Sequence, residues 1–236
     1  MIRVVLFDFD GVIVDSSKDI AEAVNKTFSH FGYGNLTYDE VFKNIGHGAQ
    51  HLLAACLNDI CVKSHKNFNS ALLPEIKNWY IDYYTSHAVV DTTIYDGVMD
   101  LLYQLSVEDV RMGIVSNKPI KVTETILEHF DIIDYFDVIV GPESIKEMKP
   151  APDGIKSAVE KINRLLTAIG EPEILAKEVL MVGDSGVDIK AAKSFGAKSC
   201  GILGGIGNSE RLKLENPDIL VNTMTEFSMD DIKRIF

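Results

Sequence analysis

The sequence predicts an α/β protein: a doubly wound, Rossmann-like parallel sheet that carries a small, inserted all-helical domain. Short apolar runs recur along the chain, as in strands that are buried on both faces. Amphipathic stretches of helical length separate these runs, which indicates crossover connections between parallel strands. The exception is the interval from Ser16 to Ser86, where the periodicity is helical throughout.

The predicted strands begin with "VVLF" near the N-terminus and end near the C-terminus with a weaker run, "DILV". In chain order they are Val4–Phe7, Met112–Val115, Val138–Val140, Val179–Val182, Ser199–Leu203 and Asp218–Val221. Helices are predicted between them at Asp96–Leu105, Pro119–Phe130, Pro152–Leu166 and Ser185–Gly196. Pro119 and Pro152 suit first helical turns, and Gly196 suits a C-cap.

The helical interval predicts a domain inserted after the first strand. Its amphipathic stretches are Asp19–Phe31, Tyr38–Ile45, Ala49–Leu57 and Leu72–His87, and Val62–Ser70 is predicted to be an exposed connection. We therefore expect a core domain formed by residues 1–15 and 91–236 and a helical cap domain formed by residues 16–90.

Composition limits the class of partner. The chain has 236 residues, of which 46% are hydrophobic, and a formal net charge of −12. This charge disfavours nucleic acid and anionic membranes, but it permits a small phosphorylated ligand where local cations offset it. With three cysteines, no apolar run of membrane-spanning length and no signal-peptide pattern, we expect a cytoplasmic protein. We expect it to be a monomer or a homodimer.

Polar, reactive residues follow several of the predicted strands. In an open parallel sheet, the carboxyl ends of the strands meet at one edge, where ligands bind. The residues that we expect at this edge are Asp8, Asp10, Ser116, Asn117, Lys118, Lys149, Asp184 and Asp188.

Each of these residues also has a simple structural interpretation. Asp10 could form a turn with Gly11, Ser116 could cap a helix, Lys149 could lie in a solvated loop, and Asp188 could be a first-turn acid. Together, however, they would crowd unpaired carboxylates, whose mutual repulsion destabilises a fold. A bound divalent cation removes that objection. The segments offer oxygen ligands and contain neither histidine nor cysteine, which favours Mg²⁺ over zinc.

These segments, in this order, resemble the motifs of the haloacid dehalogenase superfamily in its magnesium-dependent phosphatase branch. The matching stretches are "DFDGVIVDS", "VSNKP", "KPAPDG" and "VGDSGVD". The helical insertion resembles the type-1 cap of that superfamily. The stretches "GHGAQHLL", "IYDGVMDLLYQL" and "GILGGIGNSERL" look most similar to phosphoglycolate phosphatases.

The resemblance implies a role for each aspartate. Asp8 would attack phosphorus and become an aspartyl phosphate, and Asp10 would act as acid and then as base. Asp8, the backbone carbonyl of Asp10 and Asp184 would hold Mg²⁺. Asp188 would orient Lys149 or a metal-bound water.

The other implied roles concern the phosphoryl group and the cap. Ser116, with the neighbouring Asn117 amide, and Lys149 would bind the phosphoryl oxygens, while Gly11 and Ser185 would support the aspartates. The cap loop Gly46–His47–Gly48 would face the substrate. His47 could contact a substrate carboxylate, or His47 and His51 could be ordinary cap residues one helical turn apart.

The implied function is Mg²⁺-dependent hydrolysis of a small phosphorylated metabolite, with phosphoglycolate as the leading candidate. A sugar-phosphate mutase of the β-phosphoglucomutase kind and a pyrophosphatase are alternatives on the same fold, and a non-catalytic binding protein is a third. Asp10 argues against a dehalogenase. A phosphonatase would need a reactive cap lysine, whereas the lysines of this interval have solvated surroundings: Lys18, Lys26, Lys43, Lys63, Lys66 and Lys77.

Overall fold

A computed structural model describes residues 1–64 and 69–235 of the chain. The strands are β1 (Val4–Phe7), β2 (Val14–Asp15), β3 (Thr93–Ile94), β4 (Arg111–Val115), β5 (Val138–Val140), β6 (Val179–Gly183), β7 (Lys198–Ile202) and β8 (Ile219–Val221). The helices are α1 (Ser17–His30), α2 (Tyr38–Phe42), α3 (Ala49–Ser64), α4 (Leu73–Ser86), α5 (Val98–Val107), α6 (Ile120–His129), α7 (Asp153–Ala168), α8 (Gly186–Phe195), α9 (Ser209–Leu214) and α10 (Met229–Arg234).

The main sheet confirms the predicted fold class. It has the order β5-β4-β1-β6-β7-β8, and every neighbouring pair is parallel. Each predicted sheet strand is present, with ends that shift by one residue at most. Because β1 lies between β4 and β6, the residues that follow these three strands emerge side by side.

Alternation along β1 divides the hydrophobic core into two layers. Val5 and Phe7 belong to a cluster that includes the buried faces of α5 and α6, whereas Val4 and Leu6 belong to a cluster that includes those of α7 and α8. Because β1 is fully buried on both faces, its four residues are all apolar, which is why the run was visible in the sequence.

A two-stranded ribbon joins the sheet to the helical segment. The strands β2 and β3 are antiparallel, and the chain enters α1–α4 after β2 and returns at β3. The sequence did not predict this ribbon, because two residues per strand are too few to show a periodicity. The interval between the strands contains helices and no described strand, as expected. The division into core and cap domains at residues 15/16 and 90/91 stays a prediction.

The exposed connection was predicted to begin at Val62 and end at Ser70, but its first three residues are helical. The helix α3 continues through Val62 to Ser64, although Val62 itself is exposed. Residues 65–68, including the candidate Lys66, lie outside the described residues. At the other end, Ser70 begins a short 3₁₀ helix, with Asn69 as its cap.

No helix in the described part of the chain combines the length and apolar character that a membrane span requires. The three cysteines are buried and free.

Asp19 connects the start of the helical segment to the stretch of chain that leads back to the sheet. Its buried carboxylate accepts hydrogen bonds from the backbone N–H groups of Val90, Asp91 and Thr92 at 2.9–3.1 Å and from the Thr92 hydroxyl at 2.7 Å. One side chain near the start of α1 therefore orders the segment that leads back into the sheet.

We predict that Asp19→Ala lowers the free energy of unfolding by about 3 kcal/mol, because it leaves several buried donors without an acceptor. Urea denaturation measures the change. The control is Glu22→Ala on the same helix, which removes an exposed carboxylate paired with Lys26 at 3.4 Å and should cost about 0.5 kcal/mol or less. Equal effects of the two substitutions would contradict the junction role of Asp19.

Candidate active site

The turn after β1 presents the first two candidate aspartates. The Asp8 N–H donates to the Val182 carbonyl of β6 at 2.8 Å, and the Phe9 N–H donates to Asp8 Oδ1 at 2.6 Å. Gly11, at φ = 86°, then reverses the chain. A Cβ at this position would lie 1.8 Å from Asp184 Oδ2, so both the backbone conformation and the close approach require glycine.

Lys149 is buried between two carboxylates. Its Nζ lies 2.9 Å from Asp8 Oδ1 and 2.6 Å from Asp188 Oδ1, and it donates to the Val115 carbonyl at 2.8 Å. The Lys149–Asp188 contact is an ion pair, and Asp188 Oδ1 has no hydrogen-bond partner among the described residues. The other Asp188 oxygen accepts from the Ser185 N–H and hydroxyl at 3.1 and 2.6 Å, so the start of α8 positions this acid.

Asp184 completes a cluster of three acidic residues. It follows β6, and its Oδ2 accepts hydrogen bonds from the backbone N–H groups of Ile206 and Gly207 at 2.7 and 2.8 Å. Asp8, Asp184 and Asp188 each offer an oxygen within 4.8 Å of the others. The predicted ligands Asp8 and Asp184 are thus brought together. Asp188 joins them as a third side chain that the predicted ligand set did not include.

Burial and mutual repulsion shift the pKa values of this cluster. The pKa of Asp184 is raised well above its ordinary value. Burial is the largest cause, and the charges of Asp8 and Asp188 follow. Burial also raises the pKa of Asp8, although Lys149 opposes the shift. For Lys149, burial alone would lower the pKa, but Asp188 and Asp8 outweigh it and raise the pKa.

The donor chemistry of the cluster fits a hard divalent cation. The carboxylates supply oxygen alone, and their charge exceeds what one lysine neutralises. A cation among them would relieve the repulsion that raises the pKa values of Asp8 and Asp184.

Asp10 lies in a different environment, which sequence reasoning missed. The Nζ of Lys118 lies 2.9 and 3.2 Å from the two Asp10 oxygens, 3.1 Å from Ser16 Oγ and 2.7 Å from the Tyr84 hydroxyl. The Ser16 hydroxyl donates to Asp10 Oδ1 at 2.5 Å. The only signal in the sequence was the position of Lys118 after a predicted strand, and nothing there indicated its partners.

Ser116 and Asn117 follow β4, as predicted. The Ser116 hydroxyl is buried and accepts the Lys118 N–H at 3.3 Å. The Asn117 side chain donates to the Gly46 carbonyl at 3.1 Å and accepts the Lys149 N–H at 3.2 Å. These bonds join the helical segment, the end of β4 and the loop that carries Lys149, so the Asn117 side chain has a structural function. Its role in binding the phosphoryl group stays a prediction.

Most of the candidate residues line a single cavity of about 900 Å³. Its lining includes Asp8, Asp10, Gly46, His47, Gly48, Ser116, Asn117, Asp184 and Ser185. Lys149, Asp188 and Gly11 do not line it and instead contact residues that do.

The loop Gly46–Gly48 lies against the sheet side of this cavity. A Cβ on Gly48, whose φ is 82°, would meet Met148 Sδ at 3.0 Å and the Asn117 carbonyl at 3.3 Å. The His47 ring contacts His51 edge to face at 5.1 Å between centroids. The pKa of His47 is lowered, which favours its neutral form. Burial is the largest cause, and the charges of His51 and Arg211 follow. His47 thus packs on its helical neighbour and also lines the cavity.

Comparisons with known proteins agree with this geometry. The family model described as haloacid dehalogenase-like hydrolase matches residues 5–202. The chain is 30% identical over 225 residues to a phosphoglycolate phosphatase of Vibrio parahaemolyticus, covering 95% of this chain and 94% of that protein.

Solved structures show the same fold. A predicted phosphoglycolate phosphatase from Haemophilus somnus superposes with a TM-score of 0.83 at 26% identity, covering 99% of this chain and 97% of that one. A β-phosphoglucomutase from Clostridium difficile superposes with a TM-score of 0.73 at 22% identity, covering 100% and 97% of the two chains.

We predict that Asp184→Asn raises the melting temperature of the protein at pH 7.5 in the presence of a chelator. The raised pKa means that Asp184 destabilises the metal-free fold, and this cost develops as pH rises from the unfolded-state pKa to the higher folded-state pKa. Asparagine keeps an oxygen for the two backbone donors. Each kcal/mol gained should raise the melting temperature by about 2–4 °C. The advantage should shrink as the pH falls and the wild-type carboxyl becomes neutral.

Asp218→Asn is a control that should change the melting temperature in the opposite direction. Burial would raise the pKa of Asp218, but hydrogen bonds from Lys198 and Ser199 outweigh it and lower the pKa. Its ionised form therefore stabilises the fold, and asparagine should lower the melting temperature. The interpretation of Asp184 is wrong if both substitutions lower the melting temperature equally in calorimetric scans.

Proposed function

The chain belongs to the haloacid dehalogenase-like hydrolase family, and on this basis we propose that it is a Mg²⁺-dependent phosphomonoesterase of small phosphorylated metabolites. The leading substrate is phosphoglycolate, which would yield glycolate and phosphate. The observation that carries the proposal is the contact of Asp8 with Lys149 beside Asp184, at the carboxyl ends of β1 and β6.

In the proposed first step, an Asp8 oxygen attacks phosphorus in line. The Asp8–phosphorus bond forms as the ester phosphorus–oxygen bond breaks, and Asp10 donates a proton to the departing oxygen. In the second step, Asp10 takes a proton from water, which attacks the aspartyl phosphate, releases phosphate and restores Asp8. The different surroundings of the two aspartates support this division of roles, because Asp8 contacts Lys149 whereas Asp10 contacts Lys118 and Ser16.

The remaining residues would bind and orient the phosphoryl group. Ser116 donates a hydrogen bond to a phosphoryl oxygen, and the Lys149 ammonium attracts the same group while screening the charge of Asp8. The 2.6 Å contact favours Asp188 as the residue that orients Lys149. Mg²⁺ bound by Asp8, Asp184 and the Asp10 carbonyl would neutralise charge on the phosphoryl oxygens.

The helical segment would act as the cap that selects the substrate. Its loop Gly46–Gly48 lines the cavity, and the Asn117–Gly46 bond holds it against the catalytic loops. The relatives support phosphoglycolate as the leading substrate: the chain is 30% identical, over almost its whole length, to a protein named phosphoglycolate phosphatase. Likeness to the β-phosphoglucomutase, at 22% identity, supports the shared fold alone.

We predict that Asp8→Asn lowers the rate of phosphate release from phosphoglycolate by at least about a thousandfold, because an amide is a poor nucleophile and a poor metal ligand. Steady-state release of inorganic phosphate measures the effect, and circular dichroism checks that the variant is folded. The matched control Asp82→Asn changes an exposed carboxylate of α4 and should retain full activity. Turnover by folded Asp8→Asn at the wild-type rate would remove Asp8 from the nucleophile role.

Chelation provides a separate test of the metal. We predict that EDTA abolishes phosphate release and that excess Mg²⁺ restores it, since the clustered carboxylates need a cation before a phosphate dianion can approach. Full activity in EDTA would contradict the proposal. Assays with glucose 1-phosphate and pyrophosphate under the same conditions separate the alternatives: isomerisation without phosphate release indicates a mutase, and preference for pyrophosphate indicates a pyrophosphatase.

A further inference from the structure

The cavity is lined by more cationic side chains than the proposed chemistry uses. Each of its lysines is paired with a carboxylate: Lys43 with Asp59 at 2.8 Å, Lys118 with Asp10 at 2.9 Å and Lys190 with Glu215 at 3.1 Å. Lys149, behind the lining, is paired with Asp8 and Asp188. Arg211 also lines the cavity, and its guanidinium forms no ion pair within residues 1–64 and 69–235.

Arg211 is held close to the metal-binding carboxylates by the chain that precedes it. The Ile206 and Gly207 N–H groups bind Asp184, and α9 begins two residues later. Asn208 caps this helix by accepting the Arg211 N–H at 2.9 Å. Four residues of chain span at most about 14 Å, and helical geometry shortens that distance. The arginine backbone is therefore fixed relative to the reacting end of the cavity.

His47, from the helical segment, lines the same cavity as Arg211. The charge of Arg211 contributes, after burial and His51, to the lowered pKa of His47, so the two side chains lie within electrostatic range. A neutral imidazole keeps one N–H that can donate a hydrogen bond. An arginine with no ion pair among the described residues and a histidine whose neutral form is favoured thus line one cavity, from different parts of the fold.

We infer that Arg211 is a specificity-determining residue that binds a second anionic group of the substrate, remote from the reacting phosphoryl group, with His47 donating a hydrogen bond to the same group. This inference rests on the proposed function and narrows its substrate class to phosphomonoesters with a carboxylate or a second phosphate. A guanidinium recognises either group through paired N–H donors. The paired lysines are less suited to this task, because binding there would compete with an existing carboxylate.

The experiment compares three esters built on the same two-carbon unit: 2-phosphoglycolate, 2-hydroxyethyl phosphate and ethane-1,2-diyl bisphosphate. They carry a carboxylate, a neutral hydroxymethyl group and a second phosphate, respectively, at the remote end. For Arg211→Gln, we expect kcat/KM to fall about 10- to 100-fold more for an anionic ester than for 2-hydroxyethyl phosphate, the range for loss of a charge-assisted hydrogen bond. Arg211→Lys should restore part of this preference. The anionic ester whose kcat/KM falls further in Arg211→Gln identifies the group that Arg211 binds, either a carboxylate or a second phosphate.

Lys213→Gln is the matched control. Lys213 lies on the same helix and carries the same charge, but it pairs with Glu210 and lies outside the cavity lining. Its replacement should leave the ratio of anionic to neutral activity unchanged. An unchanged ratio in Arg211→Gln, or an equal change in Lys213→Gln, would overturn the inference.

A binding measurement separates this inference from the proposed function. Should the wild-type protein release phosphate from none of these esters, the proposed hydrolysis of phosphoglycolate fails, and calorimetry then decides the role of Arg211. In Mg²⁺ and the Asp8→Asn background, adding Arg211→Gln should raise the Kd of 2-phosphoglycolate or of the bisphosphate at least about tenfold. Equal Kd values with and without Arg211 would overturn the inference whatever the turnover.

Discussion

The ion-paired Lys149 is the interaction on which the rest of the site depends. A buried ammonium is tolerated only where opposite charges and hydrogen-bond acceptors surround it, and here Asp8, Asp188 and the Val115 carbonyl do so. Asp188 is in turn held by the Ser185 amide and hydroxyl at the start of α8. The lysine therefore joins the ends of β1, β4 and β6 into a single electrostatic unit.

The same cluster of charges destabilises the fold when no metal is bound. Asp8 and Asp184 have raised pKa values because they are buried near other acids, and such crowding destabilises the metal-free protein. The backbone also approaches unusually closely: a Cβ on Gly11 or Gly205 would lie within 2.4 Å of an Asp184 oxygen. Sites organised for binding and catalysis commonly sacrifice stability in this way.

Contacts between the helical segment and the sheet converge on side chains of the candidate active site. Lys118 binds both Asp10 and the hydroxyl of Tyr84 on α4, and Asn117 binds the Gly46 carbonyl. A change in the position of the helices would therefore be felt at Asp10 and at the lysine loop. The helical segment and the residues at the strand ends are therefore parts of one network of hydrogen bonds and ion pairs.

The sequence by itself determined the sheet and the positions of Asp8, Ser116 and Asp184 at its edge, because a strand buried on both faces leaves a continuous apolar run whose end is visible. It did not reveal the β2–β3 ribbon, which is too short to show a period, or the continuation of α3 to Ser64. Only the tertiary structure decided which charges pair. The Lys118–Asp10 contact spans 108 positions and the Asn117–Gly46 contact spans 71, and local patterns carry no information about partners so distant. The same reason applies to Arg211: its lack of an ion pair among the described residues could be recognised only after the partners of its charged neighbours were known.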